Sequence, residues 1–599
     1  MVVARVLARA LLFVWVLAPA APAQTGFSLQ APNAEPALQD LLKAVSLVQG
    51  VSKAKSSDAQ EIFAAARADY ARLLGALYDR GYYGGTISIR LDGREAASIA
   101  PLDAPAAIAE VEIRVEPGAQ FHFSRAAVGP LAPKTTLPEA FRLGEPAYSG
   151  LIAEAAQGAI LAWRDEGHAK AQVAGQQIVA DHRKQTLAAE VEIAPGPLAW
   201  FGRLEASGNQ RLRPKRLAEI AGYPSGKRFS PERLEAVRAR LRRTGIFSSV
   251  TLTEAEALRE GKWLDAELAV IEAKRRRMGF GAEASSSDGL TLSAYWLHRN
   301  LFGGGERLRF DAEVSGLGGG TGGVDYSLGT RLDRPATFSP DTSAFIETAF
   351  EKESTDDYES RGFTLGFGLS HILNERLTGT AALRYEWSQI TDAGGRDIYR
   401  QLSLPIGLVW DNRDTPSDAT RGYYGQLEVM PFYGLGTTGS GTRLQGDFRT
   451  YRSLGGSGRF VLAGRMQIGG VFGATLLSTP RDYLFYSGGG GTVRGQPYQS
   501  LGVNVLRAGV QRTGGTRFIS FSGELRAGIT EKIGVVAFYD TGFVSADDYF
   551  SDGGDWHSGA GLGLRYKTPI GPIRLDIAAP VGGRTGDGAQ IYLGIGQAF

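Results

Sequence analysis

Residues 402–410 read LSLPIGLVW, with Leu402, Leu404, Ile406, Leu408 and Trp410 on one face and the smaller Ser403, Pro405, Gly407 and Val409 on the other. This period of two returns throughout the second half of the chain. Phe460, Leu462, Met466 and Ile468 oppose Arg465 and Gln467, and Ile519, Phe521, Leu525 and Ile529 oppose Ser520, Ser522, Glu524 and Arg526. Strict alternation is the signature of a strand with two different faces. A soluble sandwich also alternates, but its packed core would reject the Arg, Glu and Gln of the second face, whereas a wet lumen accepts them. Tyr385, Trp387, Trp410 and Tyr423 lie near strand ends, where an interfacial aromatic girdle belongs. A closed barrel is also the only sheet that crosses lipid without unpaired backbone. About 325 residues, at roughly 20 per strand and connection, predict an antiparallel transmembrane barrel of about 16 strands over 275–599. The final IYLGIGQAF reads as its last strand, ending in Phe599.

The first half differs. Residues 1–274 hold 21 glycines and residues 275–599 hold 59, and the break follows Lys274-Arg275-Arg276-Arg277. A helical pattern over Glu61–Tyr78 stops at Gly81, and two strands follow, closing at Pro117-Gly118. The same order recurs with Ile152–Trp163, Gly167 and Pro195-Gly196, then with Pro231–Arg242, Gly245 and the strand DAELAVIEA. Three α+β units are expected, over 24–118, 119–197 and 198–274. Residues 1–23, with Arg5, Arg9, the apolar run Ala10–Leu17 and Ala21-Pro22-Ala23, read as an export signal cleaved near Gln24. The chain has no cysteine, which removes disulfides and thiolate chemistry and leans towards a Gram-negative periplasm or outer membrane. A net charge of +2 gives no case for nucleic acid.

Few residues suggest chemistry. The histidines 122, 168, 182, 298, 371 and 557 are scattered, so no metal site is expected. Residues 486–500, YSGGGGTVRGQPYQS, do not fit a phosphate loop, because Arg494 and Gln496 bracket the last glycine where Lys-Ser/Thr would be needed. No GxSxG elbow occurs, and the acidic pairs Asp356-Asp357 and Asp547-Asp548 suit solvated turns. The expectation is a protein that is not an enzyme and needs no cofactor. The glycine run is then a barrel loop. If it lies in the lumen, Arg494 needs acceptors, and Glu524 and Asp540 have the right parity. If it lies outside, Arg494 meets only water.

VRGQPYQS with its preceding glycines resembles the sixth-loop motif of the bacterial outer-membrane assembly factors, the BamA and TamA superfamily. WLHRNLFGGGERL (296–308), WDNRDTPSDATRGYY (410–424), AFYDTGFV (537–544) and GLGLRYKTPIGPIRLDIAAP (561–580) agree with it, as do GYY at 81–83 and RTGIF at 244–248 in the front units. The resemblance implies that the units are periplasmic POTRA domains, and a count of three is similar to the TamA-like branch. It implies a lumenal lock formed by Val493, Arg494, Gly495, Glu524 and Asp540. It also implies a lateral gate between the first strand, at Gly279, Phe280 and Gly281, and the last, at Gly594, Gly596 and Phe599. Unfolded outer-membrane proteins and autotransporters would pair with the first-strand edge, an inner-membrane-anchored TamB-like protein would meet the POTRA domains, and outer-membrane lipid would surround the barrel. One departure stands out: the family loop carries an aromatic after Arg-Gly, and this chain has Gln496, so either Tyr498 takes that place or the loop packs differently. A two-partner-type secretion pore is the alternative, and a passive porin a third reading.

Overall fold

The computed structural model describes residues 26–52, 58–320, 322–455, 458–506, 509–550, 553–569, 571–586 and 588–599. The expected signal over 1–23 and its cleavage near Gln24 lie outside the described residues. The chain divides into two compact units. Of the described residues, one holds those up to 203 with 225–233 and 255–265, and the other holds those in 204–224, 234–254 and 266–599.

In the first unit, helix Ala59–Tyr78 is started by Asp58, whose side chain accepts from the Gln60 N–H, and ends just before left-handed Gly81. Its apolar stripe, Ile62, Ala66, Leu73 and Leu77, packs on Ile89, Val111 and Val115 of the sheet beneath. Strand Glu110–Glu116 pairs antiparallel with Thr86–Leu91 and parallel with an opening strand, Gly26–Gln30. The second module repeats this. Helix Ser149–Asp165 lies on Thr186–Ala194, which pairs antiparallel with Gln172–Asp181 and parallel with His122–Gly129. The sequence pattern of helix, strand, strand misses both opening strands. GFSLQ is short and HFSRAAVG loses its alternation, and each is held by a parallel ladder to a strand far along the chain. A third module, whose residues are divided between the two units, contains helices Pro214–Ala221 and Pro231–Arg243 and the strands Trp200–Ser207, Trp263–Glu272 and Phe247–Glu254, the strands hydrogen-bonded in that order.

The second unit contains a closed antiparallel barrel. Its strands begin β1 Arg276–Ser285, β2 Gly289–Arg299, β3 Arg307–Leu317, β4 Asp325–Arg334 and β5 Thr342–Ser354. They continue as β6 Tyr358–Ile372, β7 Leu377–Asp392, the two-part β8 Gly395–Ser403 with Ile406–Asp411, β9 Gly422–Gly434 and β10 Gly441–Leu454. The last are β11 Phe460–Phe472, β12 Arg517–Gly528, β13 Ile533–Ser545, β14 Gly554–Tyr566, β15 Ile573–Gly582 and β16 Gln590–Ile595. Strand β8 breaks at Leu404-Pro405 because proline has no N–H for the ladder, although both segments pair with β7 and β9. Leu402, Leu404, Ile406, Leu408 and Trp410 all project to the exposed outer wall. The lumen side carries ion pairs instead, such as Glu347 between Arg331 and Arg384, and Asp447 between Arg449 and Arg465. Apolar outside and charged inside is the profile of a barrel whose solvent is lipid.

Within this unit, three arginines of the third module hold two barrel turns. The Arg216 Nε donates to the Gly304 carbonyl at 3.0 Å. Arg240 donates to Asp341 from Nε and Nη2, at 3.1 and 2.6 Å, and Arg243 Nη2 reaches the same carboxylate at 2.6 Å. Burial pushes the Asp341 pKa up, but the two guanidiniums outweigh it and hold the group below its ordinary value. A depressed carboxylate stabilises above its unfolded pKa and loses that contribution as pH falls through the folded value, so the clasp is complete at neutral pH and is lost only in acid. Partly exposed, it is worth about 1 kcal/mol. Asp341→Asn is therefore expected to speed amide exchange over 335–341 at pH 7 a few-fold and to leave little further change at pH 3; equal exchange of both forms at pH 7 would contradict this.

Candidate functional site

The connection from β11 to β12, residues 473–516, is long enough to fold back into the barrel. Tyr483, Phe485 and Leu501 of this loop pack with Met430, Phe432, Val471, Phe518 and Val544 of the wall. Arg481, from a short helical turn, pairs with Asp392 at 2.7 Å, both side chains buried. Beyond this apolar seat lies the glycine run. Gly495 has φ +92°, and a Cβ there would stand 2.8 Å from the Ala579 backbone, so only glycine lets the loop lie this close to β15. The wall makes room as well, since a Cβ on Gly559 of β14 would come within 1.9 Å of the Arg494 carbonyl oxygen.

This approach delivers Arg494, 3% exposed, to three carboxylates. Its Nε and Nη2 donate to the two oxygens of Asp540 at 2.7 and 3.0 Å, and its backbone N–H donates to Asp540 Oδ2 at 3.1 Å. Nη1 donates to Glu524 Oε1 at 2.8 Å and to Asp576 Oδ2 at 3.2 Å. The guanidinium lies over the Phe538 ring, 3.5 Å from its centroid. Two more cations close the circuit. Arg526 donates to Glu524 Oε2 at 2.8 Å, and Arg565 takes both oxygens of Asp576. Three guanidiniums thus face three carboxylates, and the buried network is electrically balanced. Val493 is fully buried, with its side chain towards Gly542, and the Gly495 N–H donates to the Tyr592 hydroxyl at 3.0 Å.

The sequence expected Glu524 and Asp540 to be the acceptors of Arg494, and the structure brings both to it. Asp576, Arg565, Arg526 and Phe538 were missed. Their lumen-facing parity was visible, but their proximity depends on how β12 to β15 line up side by side. Gln496 packs in its own way. It is fully buried, and its Nε2 donates to the Ser558 and Gly582 carbonyls at 2.8 and 3.1 Å, beside the bulge where the β14–β15 register shifts. Tyr498 is 42% exposed and does not replace an aromatic in that seat. His557 links the loop and the β15–β16 turn, contacting Ser487 Oγ and Thr585 Oγ1 at 2.8 and 2.7 Å.

The second feature is the seam where β1 meets β16. Only Ala284↔Leu593 and Ser285↔Tyr592 pair there, whereas β15–β16 has six pairs and β5–β6 thirteen. Ser286 adds hydrogen bonds to Ile591 and Gln590, and Glu283 pairs with Arg574. Gly279, Phe280 and Gly281 pair with Tyr295, Ala294 and Ser293 of β2 and have no partner on β16. Phe280 is 84% exposed. Gly594 lies in β16 opposite Arg574, beneath the Glu283 carboxylate.

Gly596 and Phe599 do not belong to the closing strand, contrary to the expectation from IYLGIGQAF. The strand stops at Ile595, and Gly596, at φ +102°, turns the chain away from the seam. Phe599 is buried in the lumen with Ala419, Tyr451 and Ala463. Arg526 donates to its main-chain oxygen at 3.1 Å, and Arg565 donates to Gln597 Oε1 at 2.8 Å. The inward seat outweighs the ladder that a straight strand would have made.

Removing one member of such a network leaves buried charge uncompensated, at about 3–5 kcal/mol. Arg494→Gln is expected to make residues 473–516 protease-sensitive at a lower urea concentration while the barrel keeps its heat-modifiable gel mobility. Arg494→Gln with Asp540→Asn should cost less than the sum of the two changes, and a loop as resistant as the original would show that the network does not hold it.

The model of the Omp85 superfamily domain matches residues 300–599. Among solved structures, BamA from Haemophilus ducreyi lacking POTRA domains 1–3 aligns with a TM-score of 0.60 at 17% identity, covering 80% of this chain and 100% of that one. CdiB from Acinetobacter baumannii aligns with a TM-score of 0.52 at 10% identity, covering 80% and 90%. Both are likenesses of fold. With half its length matched to the family, the chain belongs to the Omp85 superfamily.

Proposed function

We propose that this chain is an outer-membrane insertase that assembles autotransporters and other β-barrel proteins through a lateral gate between β1 and β16, with its α+β modules in the periplasm as POTRA domains. The observation that carries this reading is the two-pair seam beside an unpaired β1 edge. An edge of free N–H and C=O groups recruits another strand, and main-chain pairing tolerates many sequences. The substrate strand would add along Met278–Glu283, whose main chain has no partner on β16 along Met278–Gly281. The gate needs no cofactor and makes or breaks no covalent bond, so free energy would come from substrate folding. The three modules suit a TamA-like role, with a TamB-like periplasm-spanning protein as partner of the first. A secretion pore would instead have to clear the lumen, and here Arg494 and Arg481 both tie the loop into it.

The chain lacks cysteine, so an Ala284→Cys/Leu593→Cys pair introduces the only thiols. In outer membranes, oxidising this pair is expected to stop insertion of a model autotransporter at least ~10-fold, with activity restored by reductant. Undiminished insertion through the oxidised seam would contradict the gate and favour passage through the lumen.

A further inference from the structure

The outer wall of the barrel is not smooth. Across β7 to β13 it carries a groove of about 1020 Å³, floored by Gly425, Gly464 and Gly523 and walled by Trp410, Phe448, Phe521 and Tyr539. Gly464 and Gly523 are direct ladder partners, so the floor is continuous across β11 and β12. Nothing in the fold requires these glycines. None has a positive φ, a Cβ on Gly523 meets nothing within 4 Å, and on Gly425 and Gly464 the nearest atoms are Phe448 Cδ1 at 3.5 Å and Thr450 Cγ2 at 3.4 Å. Elsewhere on this wall, outward positions such as Leu328, Leu462 and Leu525 carry full apolar side chains. The groove is therefore space left open against lipid.

A second observation gives the groove a polar end. Arg452 lies two residues beyond Thr450 on β10, about 7 Å along the strand, on the same outward face, opposite Leu462. Its neighbour Tyr451 points into the lumen. Arg452 is exposed and, among the described residues, makes no ion pair. Because turns alternate between the two ends of an antiparallel barrel, the β10–β11 turn beside Arg452 is at the same end as the β4–β5 turn that Arg240 and Arg243 hold. Apolar floor, aromatic walls and a free guanidinium at the interface match one kind of molecule.

We propose that this groove seats a phospholipid from the leaflet on the module side, with an acyl chain over Gly425, Gly464 and Gly523 and the phosphate paired to Arg452. A guanidinium on an apolar stem suits this place, since it keeps its charge in the headgroup layer and binds phosphate oxygens through paired N–H groups. The site lies on the wall away from the seam, so it is separate from strand addition.

The full chain, reconstituted in vesicles of phosphatidylethanolamine and phosphatidylglycerol doped with a phospholipid bearing a diazirine on its acyl chain, tests this directly. Irradiation followed by peptide mapping should place labels on 423–427, 464–466 and 521–523 several-fold above the smooth wall around Leu328 and Phe367. Gly464→Leu/Gly523→Leu should lower groove labelling to wall level. Arg452→Gln, an exposed change that leaves the barrel intact, should lower it roughly 10-fold. Even labelling around the wall, or unchanged labelling in Arg452→Gln, would overturn the proposal. So would stronger competition by unlabelled lipopolysaccharide than by unlabelled phospholipid, which would move the site to the other leaflet.

Discussion

The Arg494 guanidinium, held by Asp540, Glu524 and Asp576, is the interaction on which the arrangement of the barrel depends. A buried charge of this kind persists only when every partner is present, because each carboxylate would be as costly alone as the arginine. The balance here is complete. Arg526 and Arg565 supply the two further cations that three carboxylates need, and the Phe538 face covers the arginine. Hydrogen bonds in such a circuit support one another, so the loop is held as a unit and not by separate contacts.

The same two flanking arginines reach the chain end. Arg526 holds the Phe599 oxygen and Arg565 the Gln597 side chain, so the network that docks the loop also holds the last residues in the lumen. The tail drawn inward is a tail missing from the ladder. Strand β16 is six residues long, and β1 has ten. Closure normally abolishes sheet edges, and this barrel closes while keeping one. Loop docking and tail placement thus share one set of ion pairs, and the short seam lies where the tail leaves the ladder.

Much of this was legible in the sequence, because period-two alternation is a local property. It sorted Leu402 to Trp410 outward and Glu524, Arg526 and Asp540 inward, while the length of the second half set the strand number. What it could not supply was register. Asp576 alternates with outward apolar neighbours as any lumen residue does, and only the side-by-side alignment of β13, β14 and β15 puts it beside Asp540. The tail misled for a related reason. IYLGIGQAF alternates to its end, yet the left-handed turn at Gly596 and a lumenal pocket for Phe599 outweigh the period. The opening strands of the α+β modules escaped because parallel partners lie far apart in sequence, and Gln496 because its acceptors exist only where a bulge interrupts a ladder.

The most direct measurement is residue-resolved amide hydrogen exchange of the full chain in nanodiscs, read along β1. If the seam is open below Ala284, every second amide of Met278–Glu283, those facing away from β2, should exchange as fast as an unpaired edge. The alternate amides, bonded to β2, should remain as protected as those of β6. Uniform protection along β1 would mean that the seam is closed by pairing along its whole length, and would contradict the account.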